Sequence, residues 1–322
     1  ISATMLTFEG CNHFRQRLVL ATLTGKPIRI RDIRSNSDEP GLHEFEASFL
    51  RLLDKLTNGT VIKINETGTT LTYQPGLLIG GKIDHSCCVQ RSIGYYVEPL
   101  LYLGPFCKKP LDLTLHGVTN DDSDPSVDFI RQSFLPVIKR FVVNDEGLDI
   151  QLKKRGLPPA GGGEVKLTCP VTRSLRPVQD LDPGKIKRIR GVAFATRVSP
   201  SLASRVATSA KGVLLKFIPD VYIVTDYNRG EKGGKSPGFG ISLVAESTTG
   251  ASLSAEGISN PAGSEKGPTH PEELGERVAY NLLEEVYRGG CVDSVAQSLA
   301  LTLMAFGAPD ISKIIIGPLT PH

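Results

Sequence analysis

Ala21-Thr22-Leu23-Thr24-Gly25-Lys26-Pro27-Ile28-Arg29-Ile30 leaves a helical stretch, turns at Gly-x-Pro and enters an alternating strand. The same passage returns at Leu103 to Leu115 through Gly104, Pro105 and Pro110, and at Ala305 to Ile316 through Gly307 and Pro309. Behind the first two strands comes common punctuation, Pro40-Gly41 and Asp124-Pro125, and then amphipathic helices predicted over Glu44 to Leu56 and Val127 to Phe141. Pro27 and Pro110 stand 83 residues apart, and Pro40 and Pro125 stand 85 apart. Recurrence at such a period marks a repeated supersecondary unit: helix, strand, helix, two strands. Two helices cannot bury their apolar stripes alone, so each unit lays them on one face of a four-stranded sheet, a two-layer α+β arrangement. Leu50, Leu53 and Leu56 in one copy, and Ile130, Phe134, Val137 and Phe141 in the next, have the spacing of such a stripe and are assigned to the core.

The third copy breaks the period. Pro110 and Pro309 are 199 residues apart, 116 more than one repeat. An inserted domain accounts for the excess and is placed at 184–290. It reads strand (Gly191 to Val198), helix (Pro200 to Phe217), three strands (Val221 to Tyr227, Gly240 to Ser247, Ser252 to Ile258) and helix (Pro271 to Tyr287). Ser199 and His270-Pro271 stand where an N-cap and a first-turn proline belong. Residues 1–183 and 291–322 then form the host domain, its third repeat truncated. A surface loop tolerates such an insertion when the inserted ends lie close together.

Composition excludes several classes. The 322 residues are 40% hydrophobic and 22% charged, which rules out a disordered or collagen-like chain. Lys+Arg 37 against Asp+Glu 34 leaves a charge of +3, so any nucleic-acid contact must come from local patches. Six cysteines lack a C-x-x-C pair, and Cys87 and Cys88 are adjacent. That pattern suits neither a disulfide framework nor a structural zinc site, and points to a reducing compartment without a structural metal. The longest apolar stretch, Leu299 to Phe306, falls far short of the roughly 20 residues that span a bilayer, so no membrane association is expected. The start at Ile1 and the stop just after a strand-like run read as trimmed ends of a longer sequence.

Several familiar motifs fail on context. Gly234-Lys235-Ser236 resembles the end of a P-loop, but Arg229 stands where its first glycine belongs and a strand follows. Gly234-Lys235-Ser236-Pro237-Gly238 spells G-x-S-x-G without the strand-turn-helix of a nucleophile elbow. Asn58-Gly59-Thr60 and Asn65-Glu66-Thr67 are sequons by spelling only. The six histidines are isolated. Two features survive. Lys153-Lys154-Arg155 leads through a proline turn into Gly161-Gly162-Gly163, whose backbone freedom can bring N–H groups to an anion beside cationic side chains; a tight strand connection explains it equally well. Basic residues also cluster at Arg15, Arg17, Lys26, Arg29, Arg31 and Arg34, and at Lys185, Lys187, Arg188 and Arg190, as solvated strand faces or as phosphate ligands.

Arg155-Gly156-x-x-Pro159-x-Gly161-Gly162-Gly163-x-Val165 resembles the signature of the RNA 3′-terminal phosphate cyclase family. The repeat-plus-insert plan is similar to that family along nearly the whole chain. Lys185-Ile186-Lys187-Arg188-Ile189-Arg190-Gly191-Val192-Ala193, Arg197-Val198-Ser199-Pro200, Gly234 to Gly240 and Arg288-Gly289-Gly290-Cys291-Val292-Asp293 resemble its eukaryotic cyclase-like branch, whose members are nucleolar assembly factors rather than enzymes. The resemblance implies three repeated βαβαββ-type units, each like the C-terminal domain of translation initiation factor three, with a thioredoxin-like insert. Cyclases of this family use ATP: a histidine attacks the α-phosphate, AMP passes to the RNA 3′-phosphate, and the 2′-hydroxyl closes the cyclic phosphate. Nucleophilic catalysis cannot dispense with its nucleophile.

The departures from the family pattern bear on that chemistry. Gly317 occupies the position of the family histidine, and His322 comes five residues too late. The glycine-rich nucleotide loop is shortened to Gly10-Cys11-Asn12-His13, without its glutamate. Arg15 and Arg34 match family arginines, but Ser37 replaces a third, Phe45 and Glu98 replace glutamines, and Gln297 replaces an aspartate. A chain without cyclase activity, cofactor or catalytic residue is expected, with Arg15, Arg34, Arg155, Gly161, Gly162 and Gly163 as candidate anion or RNA ligands. The branch further implies a nuclear, nucleolar ribosome-biogenesis factor of the small-subunit processome, needed for the pre-rRNA cleavages that give 18S rRNA. A large nucleolar ribosome-assembly GTPase, pre-rRNA and other processome components are its implied partners. A pre-rRNA endonuclease and a residual ATP-dependent cyclase are the alternative activities; no two-metal carboxylate cluster stands out to support the nuclease.

Overall fold

The computed structural model describes residues 5–172 and 174–320; His322 lies outside them. The first unit runs β1 (Leu6–Glu9), α1 (Phe14–Thr24), β2 (Ile28–Arg31), α2 (Glu44–Leu56), β3 (Thr57–Asn58), β4 (Val61–Ile64) and β5 (Leu71–Gln74). β1 pairs parallel to β2, and β5 lies antiparallel between β2 and β4, giving the order β1-β2-β5-β4. β6 (Leu77–Leu78) pairs with the short β3. The second unit runs β7 (Gly80–Ser86), α3 (Ile93–Leu103), β8 (Lys109–Gly117), α4 (Val127–Phe129), α5 (Leu135–Phe141), β9 (Asp149–Lys154) and β10 (Gly163–Cys169), and its sheet has the same order, β7-β8-β10-β9. Both units are βαβαββ. α4 and α5 are joined by a π-helical turn over Ile130–Phe134, which absorbs Pro136, a residue that cannot donate to the preceding turn.

The repeated Gly-x-Pro punctuation works by two different means. Gly25 ends α1 at φ 67, a left-handed conformation, and donates its N–H to Ala21. Gly104 keeps a helical φ of −52 and starts a single 3₁₀ turn. There a Cβ would stand 3.1 Å from the Cys169 sulfur, so close approach of β10 is what demands a glycine.

β11 (Gln179–Asp180) begins a third unit and is interrupted by β12 (Ile186–Thr196), α6 (Pro200–Leu214), β13 (Val221–Asn228), β14 (Gly238–Ser247), β15 (Ser252–Ile258) and α7 (Pro271–Arg288). The interrupting sheet has the order β13-β12-β14-β15, with β13 parallel to β12 and the rest antiparallel. Ser199 caps α6 by accepting from the Ser201 N–H, and Pro271 opens α7. The chain then returns through α8 (Gln297–Ala305) to β16 (Lys313–Ile314), which pairs parallel to β11 as β2 pairs with β1.

One core holds the helices of the repeats together, with Leu18, Leu53, Tyr96, Phe134, Phe141 and Leu299 all buried. The four-stranded sheets of the first two units cover that helical layer with one face and turn the other to solvent. On β2, Ile28 and Ile30 face inward while Arg29 and Arg31 face out. The interrupting segment has its own core around Val206, Ile241, Leu243, Val278 and Leu282. Leu157, Phe194 and Ile258 form a third, small cluster that joins the two bodies. Among the described residues no helix is long and apolar enough to cross a membrane.

Candidate functional site

Between the two bodies lies a cleft of about 770 Å³. Arg15 and Arg91 reach it from the first two units, Asp121, Asp122 and Asp124 from the loop after β8, and Glu256, Glu284 and Asp293 from the far wall. Carboxylates therefore outnumber guanidinium groups, and the arginines are already engaged. Arg91 makes a bidentate pair with Asp124, both bonds at 2.6 Å. Arg15 donates to Glu98 and to the Tyr95 carbonyl, each at 2.8 Å, and lies over the Tyr95 ring. Glu98 thus cancels the charge of Arg15. A polyphosphate entering this cleft meets net negative charge.

Two carboxyls on the cleft wall hold their protons unusually well. Asp293 is buried and accepts from the N–H groups of Ser254 at 2.7 Å and Val295 at 3.0 Å. Burial, and then neighbouring Glu285, pushes it up to about 7. Glu256 on β15 accepts the Ser126 N–H at 2.7 Å and also meets the Ser126 hydroxyl, which itself caps α4. Burial, with Asp128 and Asp121 adding to it, pushes Glu256 up to about 8.

The six candidate anion ligands do not converge. Arg34 holds a left-handed φ of 47 and spends its guanidinium on Gly41 and, in a fork, on Glu46 at 2.6 and 2.8 Å. Glu46 in turn accepts the His43 N–H at the start of α2, so this arginine organises the first unit. Arg155 is 2% exposed: it donates to Asp128 at 2.6 Å and Asn120 at 3.0 Å, and its guanidinium lies 3.9 Å from the Phe194 ring centre. Gly161 and Gly162 have left-handed φ values of 61 and 82. Their close neighbours are not a vacant nest but the 232–236 loop of the inserted body: the Lys235 N–H donates to the Gly161 carbonyl at 2.9 Å, the Ala160 N–H to Ser236 Oγ at 3.0 Å, and the Arg155 N–H to the Lys232 carbonyl at 3.1 Å. Gly163 starts β10 opposite Gly117. Arg155 and the glycine turn thus join the two bodies, a role hidden in the sequence because Phe194 and Gly234 lie far along the chain.

A Cβ on Gly317 would stand 2.8 Å from the Gly289 carbonyl oxygen, so the backbone here leaves no room for a side chain. Gln297, at the start of α8, donates to the Pro318 carbonyl at 3.2 Å and holds this segment in place. The Gly10 to His13 loop is closed by Arg17, which donates to the Gly10 carbonyl at 2.8 Å.

This fold, two βαβαββ units with a third interrupted by a small α/β body, is that of a repeat-built cyclase-type protein. The family model described as RNA 3'-terminal phosphate cyclase matches residues 6–322. The chain is 58% identical over 320 residues to the human RNA 3'-terminal phosphate cyclase-like protein, covering 99% of this chain and 86% of that one. It is 52% identical over 328 residues to a probable RNA 3'-terminal phosphate cyclase-like protein of Dictyostelium discoideum, covering 99% of this chain and 88% of the other. It is 48% identical over 314 residues to the rRNA processing protein rcl1 of Schizosaccharomyces pombe, covering 97% and 85%. The chain belongs to the RNA 3'-terminal phosphate cyclase family.

Proposed function

We propose that this chain acts in rRNA processing without cyclase activity, in the small-subunit processome of the nucleolus, in the cleavages that give 18S rRNA. The observation that carries the reading is its 48% identity, along 97% of its length, to a protein named for rRNA processing. The cleft adds support, because Glu98 neutralises Arg15 and the surrounding carboxylates disfavour ATP. On this reading Gly317 takes the place of the family's histidine nucleophile, which leaves no group to carry an adenylated intermediate, and the crowding around Gly317 supports it. A large nucleolar assembly GTPase and pre-rRNA are the partners this reading assigns.

Depletion of the protein, with pre-rRNA separated on gels and rescue by the wild-type chain, tests it. Loss of 18S precursors with 28S precursors intact is the expected outcome. Normal rRNA ratios, or a covalent AMP adduct on the purified chain, would overturn it.

A further inference from the structure

If the chain works on RNA, the acidic cleft is the wrong place to hold it, and another surface must do so. The outward face of the first sheet has the required charge. Strand register aligns Thr7, Arg29, Thr72 and Lys63 in one row across β1, β2, β5 and β4. Arg31 stands in the next row, and a shallow groove of about 360 Å³ runs over Arg29, Arg31, Lys63, Asn65, Thr70 and Thr72. Glu9, beside Arg31, is the one carboxylate in the four strands. Among the described residues no ion pair reaches Arg29, Arg31 or Lys63, and Arg29 donates only to the Thr72 hydroxyl at 3.3 Å.

The second unit serves as an internal control, since it has the same sheet order and therefore the same open face. There most charges answer one another: Lys166 meets Asp112 at 2.9 Å, Lys154 meets Glu164 at 3.9 Å and His116 lies 3.0 Å from Asp84, while among the described residues Lys82 and Lys153 make no ion pair. The first face sets three cations against one carboxylate and, among the described residues, makes no ion pair, and neighbouring like charges weaken sheet pairing. We infer that the open face of the first sheet, through Arg29, Arg31 and Lys63, binds the sugar–phosphate backbone of single-stranded RNA. This rests on the rRNA-processing reading for the choice of RNA over another polyanion.

The face carries its own specificity statement. Tyr73 is fully buried and Phe8 packs against the helices, so no aromatic ring of these strands is available to stack on a base. Hydroxyl, amide and cationic groups read phosphate and sugar, and recognition is independent of base sequence. Each phosphate neutralised on a single strand contributes about −0.7 to the slope of log affinity against log salt.

The test is anisotropy of a labelled 12-nucleotide single-stranded RNA on the purified chain across a salt series. Arg31→Glu with Lys63→Glu is compared with Lys82→Glu and Lys153→Glu on the open face of the second sheet. The first pair is expected to weaken binding at least tenfold and to flatten the salt slope by about 1.4, two phosphates' worth; the second pair stays within twofold. Arg31→Gln with Lys63→Gln, which adds no repulsion, gives a smaller loss of the same sign at an unchanged thermal midpoint. Equal loss in both reversal pairs, unchanged binding in the first, or no binding by the wild-type chain would overturn the inference. Displacement by a glutamate 12-mer as readily as by unlabelled RNA would overturn the assignment to RNA. Depletion with normal rRNA ratios, alongside intact oligonucleotide binding, would instead remove the processing role and leave the surface standing.

Discussion

Arg155 shows how much one buried cation can organise. Burial works to raise the Asp128 carboxyl, but the Arg155 charge and hydrogen bond, together with the Asn120 hydrogen bond and the Arg131 charge, outweigh it and hold Asp128 below the usual carboxylate range. Removing Arg155 takes from that carboxylate its ion-pair partner. Arg155→Ala is therefore expected to cost about 3–5 kcal/mol in denaturant unfolding, because an unpaired buried charge is worse than no pair. Arg155→Ala with Asp128→Asn should recover much of the loss, and equal stability of the single and double variants would refute the pairing argument. Because a lowered carboxylate stabilises above its ordinary value, the wild-type contribution from Asp128 disappears only as pH falls into the acid range. The sequence marked Arg155 as important for a reason of composition, a cation beside glycines. It could not show that Asp128 and Phe194 would claim the guanidinium, because that depends on how two separately folded segments meet.

The elements themselves were far more legible. Hydrophobic spacing placed α2 at Glu44 to Leu56 and the last strand of the interrupting sheet at Ser252 to Ile258, as observed. Local period and local caps decide such elements, and repetition then predicts strand order, since two copies of one pattern must solve one packing problem alike. The predicted β12, Gly191 to Val198, began five residues late, because Ile186 to Arg190 read as a basic run although those residues pair with β14. Junctions between elements were the least legible, and they carry the pH response. Asp293 ties the chain leaving α7 to β15, and Glu256 ties β15 to the cap of α4. Between the ordinary carboxylate value and about 7 or 8, the folded chain holds protons that the unfolded chain has released. Stability therefore falls as pH rises through that window. Denaturation midpoints from pH 5 to pH 8 should show the decline, and Asp293→Asn should flatten it while keeping an acceptor for Ser254. A midpoint that rises toward pH 8 in the wild-type chain would contradict both assignments.

At the scale of the molecule, a formal charge of only +3 conceals segregation: carboxylates gather in the cleft, and unpaired cations gather on the first open sheet. Keeping the cleft in shape depends on how the two cores are coupled, and the coupling is narrow. It runs through the Leu157, Phe194 and Ile258 cluster, the Arg155 bonds, and the glycine turn against the 232–236 loop. Gly234 is its tightest point, with φ at +60 and an imagined Cβ 2.6 Å from the Arg155 carbonyl oxygen and 2.7 Å from that of Gly161. Gly250 is a natural control: its φ is +92, yet a Cβ there meets nothing within 4 Å. Alanine at Gly250 carries the strain of a positive φ alone, about 1–2 kcal/mol; Gly234, at φ 60 and ψ −151, lies where essentially only glycine is found, about 1–3 kcal/mol, and only Gly234→Ala also drives the host and the insert apart. Calorimetry should thus show one transition in the wild type and in Gly250→Ala, the latter at a lower midpoint, and two separated transitions in Gly234→Ala. Proteolysis in the connection at 181–185 should accelerate in Gly234→Ala alone. Were the two variants to melt and digest alike, the bodies would be coupled elsewhere, and the glycine turn would be no more than a strand connection.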